Sequence, residues 1–217
     1  MILDREKLIF IHIPKNAGTS IKKLLLNEEE LKNPDLLRYD DLNGNIWKHR
    51  TIYDIKKDNN KEYNSYRKFA IIRNPYDRMV SWYSYMGGYF TNNDLLNTYK
   101  FNSKTNDYEI IETKRPSIVG FKDFIKDELW IKGLEAKIPR LKGLLKNQFE
   151  WVDDTVTILK HENLNEDLNN FFNKEIELPL TNNTNHLDIL TYYDQETLDI
   201  VYDKYKKDFD KYNYKKL

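Results

Sequence analysis

The stretch Leu8–Leu26, LIFIHIPKNAGTSIKKLLL, constrains the fold of this 217-residue chain more than any other. Its pattern predicts an apolar strand (Leu8–Ile13), a tight polar loop (Pro14–Gly18) and the first turns of a helix (Thr19–Leu26). A strand that enters a helix through such a loop directs backbone N–H groups and the positive end of the helix at one point. The stretch therefore predicts an anion site that suits a phosphate or a sulfate.

A second strand–loop–helix unit follows later in the chain. Lys68–Ile72 has the pattern of a strand, and this strand ends at Arg73. Asn74 is a typical N-cap, Pro75 suits the first helical position, and Asp77 stands where a capping carboxylate would. We expect the next apolar side chains to face the core at helical spacing, and these are Met79, Val80, Tyr83 and Met86.

The remaining predicted elements continue this alternation of strands and helices, with a third strand at Val156–Leu159. We predict helices at Thr51–Lys57, Ser117–Lys126, Asn163–Asn173 (capped by Asn163 with Glu166) and Asp194–Tyr212, a helical or irregular stretch at Leu141–Trp151, and loops at Asp58–Ser65, Gly87–Pro116 and Leu178–Leu190. Such alternation favours the α/β class: a single domain over residues 1–217 with a small parallel sheet covered by helices on both faces. Gly87–Pro116 has no clear period and fits an insertion or a loop on the substrate side.

Composition restricts the classes of function. Charged residues make up 32% and aromatic residues 14% of the chain, which is typical of a globular protein. The formal net charge of zero gives no support for non-specific nucleic-acid binding. Cysteine is absent, which excludes disulfides, thiolate metal sites and cysteine nucleophiles. We find neither a signal peptide nor an apolar run of about 18 residues, so we expect a cytoplasmic protein with no membrane span.

The position of the loop lysine separates two kinds of anion site. A Walker A loop for nucleotide triphosphates requires a lysine directly after the second glycine of Gly-x-x-x-x-Gly-Lys-Ser/Thr. Here Lys15 follows Pro14 and precedes Gly18, the single glycine of the loop. The motif therefore does not fit a triphosphate site, although its geometry is akin to one. No cluster of His, Asp and Glu has metal-ligand spacing, so we expect no metal.

PKNAGTS after the first strand and RNPYDRMVS after the second resemble the paired motifs of sulfotransferases that use 3′-phosphoadenosine 5′-phosphosulfate (PAPS). The first is similar to the family's 5′-phosphosulfate loop, Pro-Lys-x-x-Gly-Thr/Ser-Ser/Thr. The second is similar to its 3′-phosphate motif, in which a serine follows an arginine by eight residues, as Ser81 follows Arg73. The resemblance implies a P-loop-like three-layer sandwich, and is greatest to the carbohydrate-type branch, which includes heparan sulfate 2-O-sulfotransferase and bacterial members. The stretches LKHENLNEDLNNFF and DIVYDKYKKDFDKYNY also look like landmarks of that branch, whereas Gly87–Pro139 matches least.

The resemblance implies two clamps for the two anionic groups of PAPS. Backbone N–H groups of the loop, with hydroxyls at the helix start, would bind the 5′-phosphosulfate, and Lys15 would stabilise charge on the leaving oxygen. The forked guanidinium of Arg73 and the hydroxyl of Ser81 would bind the 3′-phosphate, which ATP lacks. Alternatively, Arg73 only forms an ion pair at the helix start. The implied cofactor-binding residues are Lys15, Asn16, Ala17, Gly18, Thr19, Ser20, Arg73 and Ser81.

A hydroxyl acceptor needs a general base, and histidine, with an unperturbed pKa of about 6.5, is the natural choice. The candidates are His12, His49, His161 and His186. His12 alternates with Ile11 and Ile13 on the first strand, which favours a structural role, and His161 ends the third strand. His49 lies in KHRTIYDIKK between the two motifs, where related bacterial sequences show a similar Lys-His-x-Thr element. We therefore expect His49 to be the base.

The expected function is sulfuryl transfer from PAPS to a hydroxyl acceptor, a saccharide by the resemblance, with release of adenosine 3′,5′-bisphosphate. Two alternatives stay open at this point: a P-loop-like small-molecule kinase, and a non-catalytic module that binds PAPS or a sugar. The sequence indicates neither the identity of the acceptor nor the oligomeric state.

Overall fold

The structure is a computed structural model that describes residues 1–32, 49–91, 96–102, 107–114, 120–126, 145–178 and 188–217. His186 and parts of the predicted elements at Gly87–Pro116, Ser117–Lys126, Leu141–Trp151 and Leu178–Leu190 lie outside the described residues. The chain divides into two compact units. The first comprises Met1–Arg78, Leu144–Asn183 and Tyr205–Leu217, and the second comprises Met79–Gly143 and Thr184–Lys204. A single family domain over residues 1–217 stays a prediction.

The strands and helices can be named in chain order. The strands are β1 (Ile2–Leu3), β2 (Leu8–Ile11), β3 (Arg67–Ile72), β4 (Leu96–Asn102), β5 (Asp107–Lys114) and β6 (Thr157–Lys160). The α-helices are α1 (Gly18–Leu25), α2 (Glu28–Lys32), α3 (Ile52–Asp58), α4 (Asn60–Ser65), α5 (Pro75–Thr91), α6 (Phe121–Lys126), α7 (Leu164–Phe172) and α8 (Gln195–Tyr212), and short 3₁₀ helices lie at Gln148–Trp151, His161–Asn163 and Ile189–Thr191.

The first unit is built on a four-stranded sheet in the order β1-β2-β3-β6. β2, β3 and β6 run parallel, and β1 pairs antiparallel with β2. The apolar runs of β2 and β3 are buried, as expected for strands covered on both faces, and Phe10 stacks on Phe69 at 4.9 Å between ring centroids. The predicted α/β class with a small parallel sheet flanked by helices is thus confirmed, and the short strand β1 is an addition to it.

Two helices follow residue 50 in quick succession. Thr51 caps α3, because its Oγ1 accepts the Asp54 N–H at 3.2 Å while the Asp54 carboxylate accepts the Thr51 N–H at 2.8 Å. The predicted helix at Thr51–Lys57 is therefore confirmed. The predicted loop at Asp58–Ser65 is wrong, since α4 occupies most of it. Tyr63 on α4 is buried and donates its hydroxyl to Asp153 at 2.7 Å, and this tertiary contact stabilises a polar helix that its sequence alone does not predict.

α5 begins as its sequence predicts, with Pro75 as its first residue and Asn74 accepting the Tyr76 N–H at 3.0 Å. Met79 and Val80 are buried and Tyr83 is half-buried, whereas the side chain of Met86 lies outside the described part of the chain.

At α7 the predicted cap is wrong. Asn163 makes no side-chain cap, because a 3₁₀ turn precedes the helix, and Asp167 accepts the Lys160 N–H at 2.6 Å instead. Glu166, the other half of the predicted cap, lies in the first turn of α7.

The second unit contains a hairpin that its sequence does not reveal. β4 and β5 pair antiparallel from Leu96 opposite Lys114 to Asn102 opposite Asp107. The interpretation of Gly87–Pro116 as a loop is therefore wrong, since α5 extends to Thr91 and the hairpin follows, whereas its interpretation as an insertion stays a prediction. Between the pairs Thr98–Glu112 and Tyr99–Ile110 the register shifts by one residue, because β5 has the extra residue Ile111, and this interrupts the two-residue alternation of β5. No helix within the described ranges is both long and apolar enough to cross a membrane.

Candidate functional site

The first motif forms a tight loop at the carboxyl end of β2. Lys15 and Ala17 both have positive φ angles, of 69° and 59°, so the chain reverses sharply before α1 begins at Gly18. Ala17 provides no side-chain cap, and the first turn of α1 carries no acidic residue. The N–H groups at this helix start and its positive end therefore suit a negatively charged ligand.

Gly18 is required by a close approach to His12. A Cβ atom at Gly18 would lie 1.8 Å from His12 Nε2, far inside van der Waals contact. The predicted strand at Leu8–Ile13 ends at Ile11, so His12 lies beyond the paired strand at the start of the loop. His12 is thus part of the candidate site, which its alternation with Ile11 and Ile13 did not indicate.

His49 lies against this part of the loop. Its Nδ1 donates a hydrogen bond to the His12 carbonyl oxygen at 2.9 Å, and the two imidazole rings are 4.4 Å apart. A carbonyl oxygen only accepts, so the proton of neutral His49 is on Nδ1 and its lone pair is on Nε2. The Trp151 ring stands edge-on at 6.3 Å and helps to enclose the imidazole. The structure places His161 in a 3₁₀ turn directly after β6.

Arg73 connects the second motif to the first. It follows β3 directly and is 7% exposed. Its Nε forms an ion pair with Asp77 at 2.5 Å, and its Nη1 donates to the Lys15 carbonyl at 3.2 Å. The predicted capping role of Asp77 is therefore wrong, because its carboxylate partners Arg73 and the Asn74 N–H is donated to Glu162 Oε1 at 2.6 Å instead. Within the described part of the chain, Arg73 Nη2 makes no hydrogen bond, which leaves one edge of the fork for a ligand.

Lys15 is electrostatically disfavoured as a cation. Burial, and then the neighbouring charge of Arg73, lower the pKa of Lys15 from 10.5 to about 8. An anion bound at the loop would counter both effects. The two cations and the helix start thus form one electropositive site at the carboxyl edge of the parallel sheet, where open α/β sheets place their ligands.

Asn16 has a different environment from its neighbours. Its side chain is 1% exposed, and its Nδ2 donates to the Ile71 carbonyl at 2.7 Å and to Gln148 Oε1 at 2.6 Å. The amide thus ties the loop to β3 and to the 3₁₀ helix. This leaves the backbone of Asn16, and not its amide group, as the part that could contact a ligand. Gln148 was not singled out from the sequence, since the stretch Leu141–Trp151 carries no motif.

The other predicted residues lie on two helices. Thr19 is exposed and Ser20 is half-buried in the first turn of α1. Ser81 is 5% exposed on α5 and belongs to the second unit. The structure thus brings together the residues of the loop, Arg73 and His49 within the first unit.

An anion-binding loop between a parallel strand and a helix, with basic residues beside it, is typical of α/β enzymes that handle phosphate or sulfate groups. A model of the Sulfotransferase family matches residues 1–151, which include both motifs and His49. The chain therefore belongs to the Sulfotransferase family, a family of transferases whose members move a sulfuryl group to a hydroxyl acceptor. Searches of curated proteins and of solved structures gave no match.

Proposed function

We propose that this protein transfers the sulfuryl group of PAPS to a hydroxyl group of a carbohydrate and releases adenosine 3′,5′-bisphosphate. The observation that carries the proposal is the hydrogen bond from Arg73 Nη1 to the Lys15 carbonyl, 3.2 Å long. It joins the two motifs that resemble the 5′-phosphosulfate and 3′-phosphate sites. A ligand with two separate anionic groups needs both, and ATP, which lacks a 3′-phosphate, would leave one unused.

The residues of the loop fit the phosphosulfate end of PAPS. The uncapped start of α1 offers N–H groups at Gly18 and Thr19, and the Thr19 and Ser20 hydroxyls lie in its first turn. Lys15 would stabilise the negative charge that develops on the leaving phosphate oxygen. With its pKa lowered to about 8, Lys15 is still mostly charged at neutral pH, and a bound anion would favour the charged form further.

The residues of the second motif fit the 3′-phosphate. Asp77 and the Lys15 carbonyl occupy Nε and Nη1 of Arg73 and so hold the guanidinium in one orientation. Nη2 would then be left for the 3′-phosphate, and by the resemblance the Ser81 hydroxyl would add a neutral donor. The ion pair with Asp77 is thus compatible with phosphate binding, because a guanidinium carries five N–H donors.

His49 is the proposed general base. Its Nε2 would accept the proton of the acceptor hydroxyl as that oxygen forms its bond to sulfur and the bond from sulfur to the phosphate oxygen breaks. The hydrogen bond from Nδ1 to His12 favours this tautomer and stabilises the imidazolium that results. Carbohydrate as the acceptor rests on the resemblance of HIPKNAGTS, LKHENLNEDLNNFF and DIVYDKYKKDFDKYNY to the carbohydrate-type branch. A P-loop-like three-layer fold rests on the family resemblance in the same way.

Radiolabelled PAPS incubated with a panel of sugars, lipids and small phenols tests the transfer directly. We expect label in a saccharide, and a rate of labelling lower by about 10²- to 10⁴-fold when His49→Gln replaces the native chain. Thermal-shift titrations separate the alternatives. Stabilisation by adenosine 3′,5′-bisphosphate but not by ATP supports the proposal, and the opposite pattern favours a small-molecule kinase. Stabilisation by the bisphosphate without transfer to any acceptor favours a non-catalytic binding module.

A further inference from the structure

The side chain of Gln148 bridges the two motifs. It is fully buried, and its Oε1 accepts hydrogen bonds from Asn16 Nδ2 at 2.6 Å and from the Arg73 N–H at 2.9 Å. Its Nε2 donates to the Arg73 carbonyl at 2.8 Å. One primary amide therefore holds both the loop and the residue that follows β3.

This pattern of contacts is specific to glutamine. Both lone pairs of the side-chain oxygen are used, and the amide N–H reaches a carbonyl that can only accept. A glutamate of the same shape would place a carboxylate oxygen against the Arg73 carbonyl. A leucine would leave the Arg73 N–H and carbonyl without this partner and Asn16 Nδ2 with only its bond to Ile71. Either change is costly at a site from which water is excluded.

The backbone of Gln148 is held from the other side by α8. Asp208 is fully buried, and its carboxylate accepts the Gln148 N–H at 2.7 Å and the Phe149 N–H at 3.0 Å. Arg78 adds a second connection, because it donates to the Pro14 carbonyl at 3.2 Å and to the Lys146 carbonyl at 3.1 Å. The segment that carries Gln148 is thus fixed to both the helix and the loop.

The same segment supports the proposed base. Gln148 begins the 3₁₀ helix that ends at Trp151, and the Trp151 ring stands edge-on to His49 at 6.3 Å. Lys146 Nζ lies 4.6 Å from the centroid of the Trp151 ring and helps to hold it. One short helix therefore contacts the loop through Asn16, the arginine through its backbone, and His49 through an aromatic ring.

We propose that Gln148 is a positioning residue that aligns the loop, Arg73 and His49 with one another, so that its loss misplaces the donor relative to the base. The roles of those three groups rest on the proposed function, but the alignment itself does not. Displacement of reacting groups by about 1 Å can cost two orders of magnitude in rate. A purely structural role would instead lower stability and leave the folded site as it was.

The test compares Gln148→Glu and Gln148→Leu with Gln195→Glu, which makes the same chemical change at the chain's other glutamine, an exposed residue of α8. Hydrogen–deuterium exchange on the ligand-free proteins reports the loop and the residues around Arg73. Calorimetry gives Kd for adenosine 3′,5′-bisphosphate, and steady-state kinetics give kcat and KM at temperatures where each variant is folded.

We expect faster exchange at residues 14–20 and 73–75 in both Gln148 variants, a Kd raised about tenfold, and a kcat lowered about 10- to 100-fold. Gln195→Glu should match the native chain. Native exchange in either folded Gln148 variant would overturn the inference, and so would a loss of stability with native Kd and kcat. If the native chain does not bind the bisphosphate, the proposed function fails, whereas the exchange data still decide the role of Gln148. Should Gln148→Leu not fold, Gln148→Glu supplies the decision, and failure of both to fold would assign Gln148 to stability alone.

Discussion

His49 Nδ1 lies 2.9 Å from the carbonyl oxygen of His12, the residue that separates β2 from the anion-binding loop. The contact ties the orientation of His49 to the backbone at the start of the loop. The proposed ligand site and the proposed base would therefore share one support. This coupling is the structural basis for the predictions on His49 and on its neighbours.

Replacement of His49 by glutamine should lower kcat by about 10²- to 10⁴-fold, the usual contribution of a general base. The KM for PAPS should change little, because the proposed donor contacts are made by the loop and Arg73. Initial rates with labelled PAPS and a saturating acceptor measure both quantities. Glutamine keeps a donor that can reach the His12 carbonyl, so the loop should keep its conformation.

His161→Gln is the matched variant, since His161 follows β6 directly and was another candidate base. We expect it to retain most of the native kcat. A large loss in His161→Gln together with native rates in His49→Gln would show that the base has been assigned to the wrong histidine.

Activity should fall as pH rises through about 8, because the pKa of Lys15 is lowered to that value and only the protonated amine can stabilise the leaving group. Lys15→Arg keeps a positive charge at all accessible pH values, so its basic limb should move upward, even if its maximum rate is lower. The profile of kcat/KM for PAPS between pH 6 and 10 measures the limb. An unchanged basic limb in the variant would exclude Lys15 as its cause.

Binding of adenosine 3′,5′-bisphosphate should also take up protons near pH 8.5. A bound anion favours the charged form of Lys15 and raises its pKa, so part of the population that was neutral becomes protonated. Calorimetry in two buffers of different ionisation enthalpy measures the uptake. It should be smaller in Lys15→Arg, whose guanidinium is protonated before the ligand binds.

The local features of both motifs could be predicted from the sequence because they depend on short-range chemistry. An apolar run before a small-residue loop specifies the strand and turn before α1, and Asn74-Pro75 specifies the start of α5. The elements that the sequence did not predict depend on contacts between distant parts of the chain. The polar helix α4 is stabilised by the buried Tyr63, and the register shift at Ile111 interrupts the alternation of β5.

The same limit applies to the candidate site. Lys15, Gly18 and Arg73 stand in recognisable motifs, so their proximity follows from adjacent parallel strands that end at one edge. Gln148 is 132 residues from Asn16 and 75 from Arg73, and no local pattern marks a side chain whose partners are so distant. His12 was assigned to the strand because the sequence does not show that pairing stops at Ile11.

Gly18→Ala should destabilise the first unit by about 1–3 kcal/mol, the usual cost of an added group in a filled space. The new Cβ would lie 1.8 Å from His12 Nε2, so the imidazole must leave its place. His12→Ala removes that ring but keeps the carbonyl that His49 contacts. The double variant Gly18→Ala/His12→Ala should therefore be less destabilised than the sum of the single changes, as urea denaturation measures.

Gly120→Ala is the control for this cycle, since the atom nearest to its added Cβ is Asp123 Oδ2 at an ordinary 3.7 Å. Its free energy of unfolding should stay within about 1 kcal/mol of the native value. Additive effects of the Gly18 and His12 changes would contradict the steric explanation for the glycine.

Arg73→Ala should raise the Kd for adenosine 3′,5′-bisphosphate by about 100-fold. The Kd for adenosine 5′-monophosphate should change little, because only the first ligand carries the 3′-phosphate. Loss of a charge-assisted, desolvated contact typically costs about 2–5 kcal/mol. Arg73→Lys should recover only part of the affinity, since an ammonium cannot contact Asp77, the Lys15 carbonyl and a phosphate as a fork does. Ser81→Ala should lower the affinity for adenosine 3′,5′-bisphosphate by a few-fold, as expected for the loss of one neutral hydrogen bond. Calorimetric titration of both ligands decides the point: equal losses for the two nucleotides would mean that Arg73 supports the loop and does not bind the 3′-phosphate.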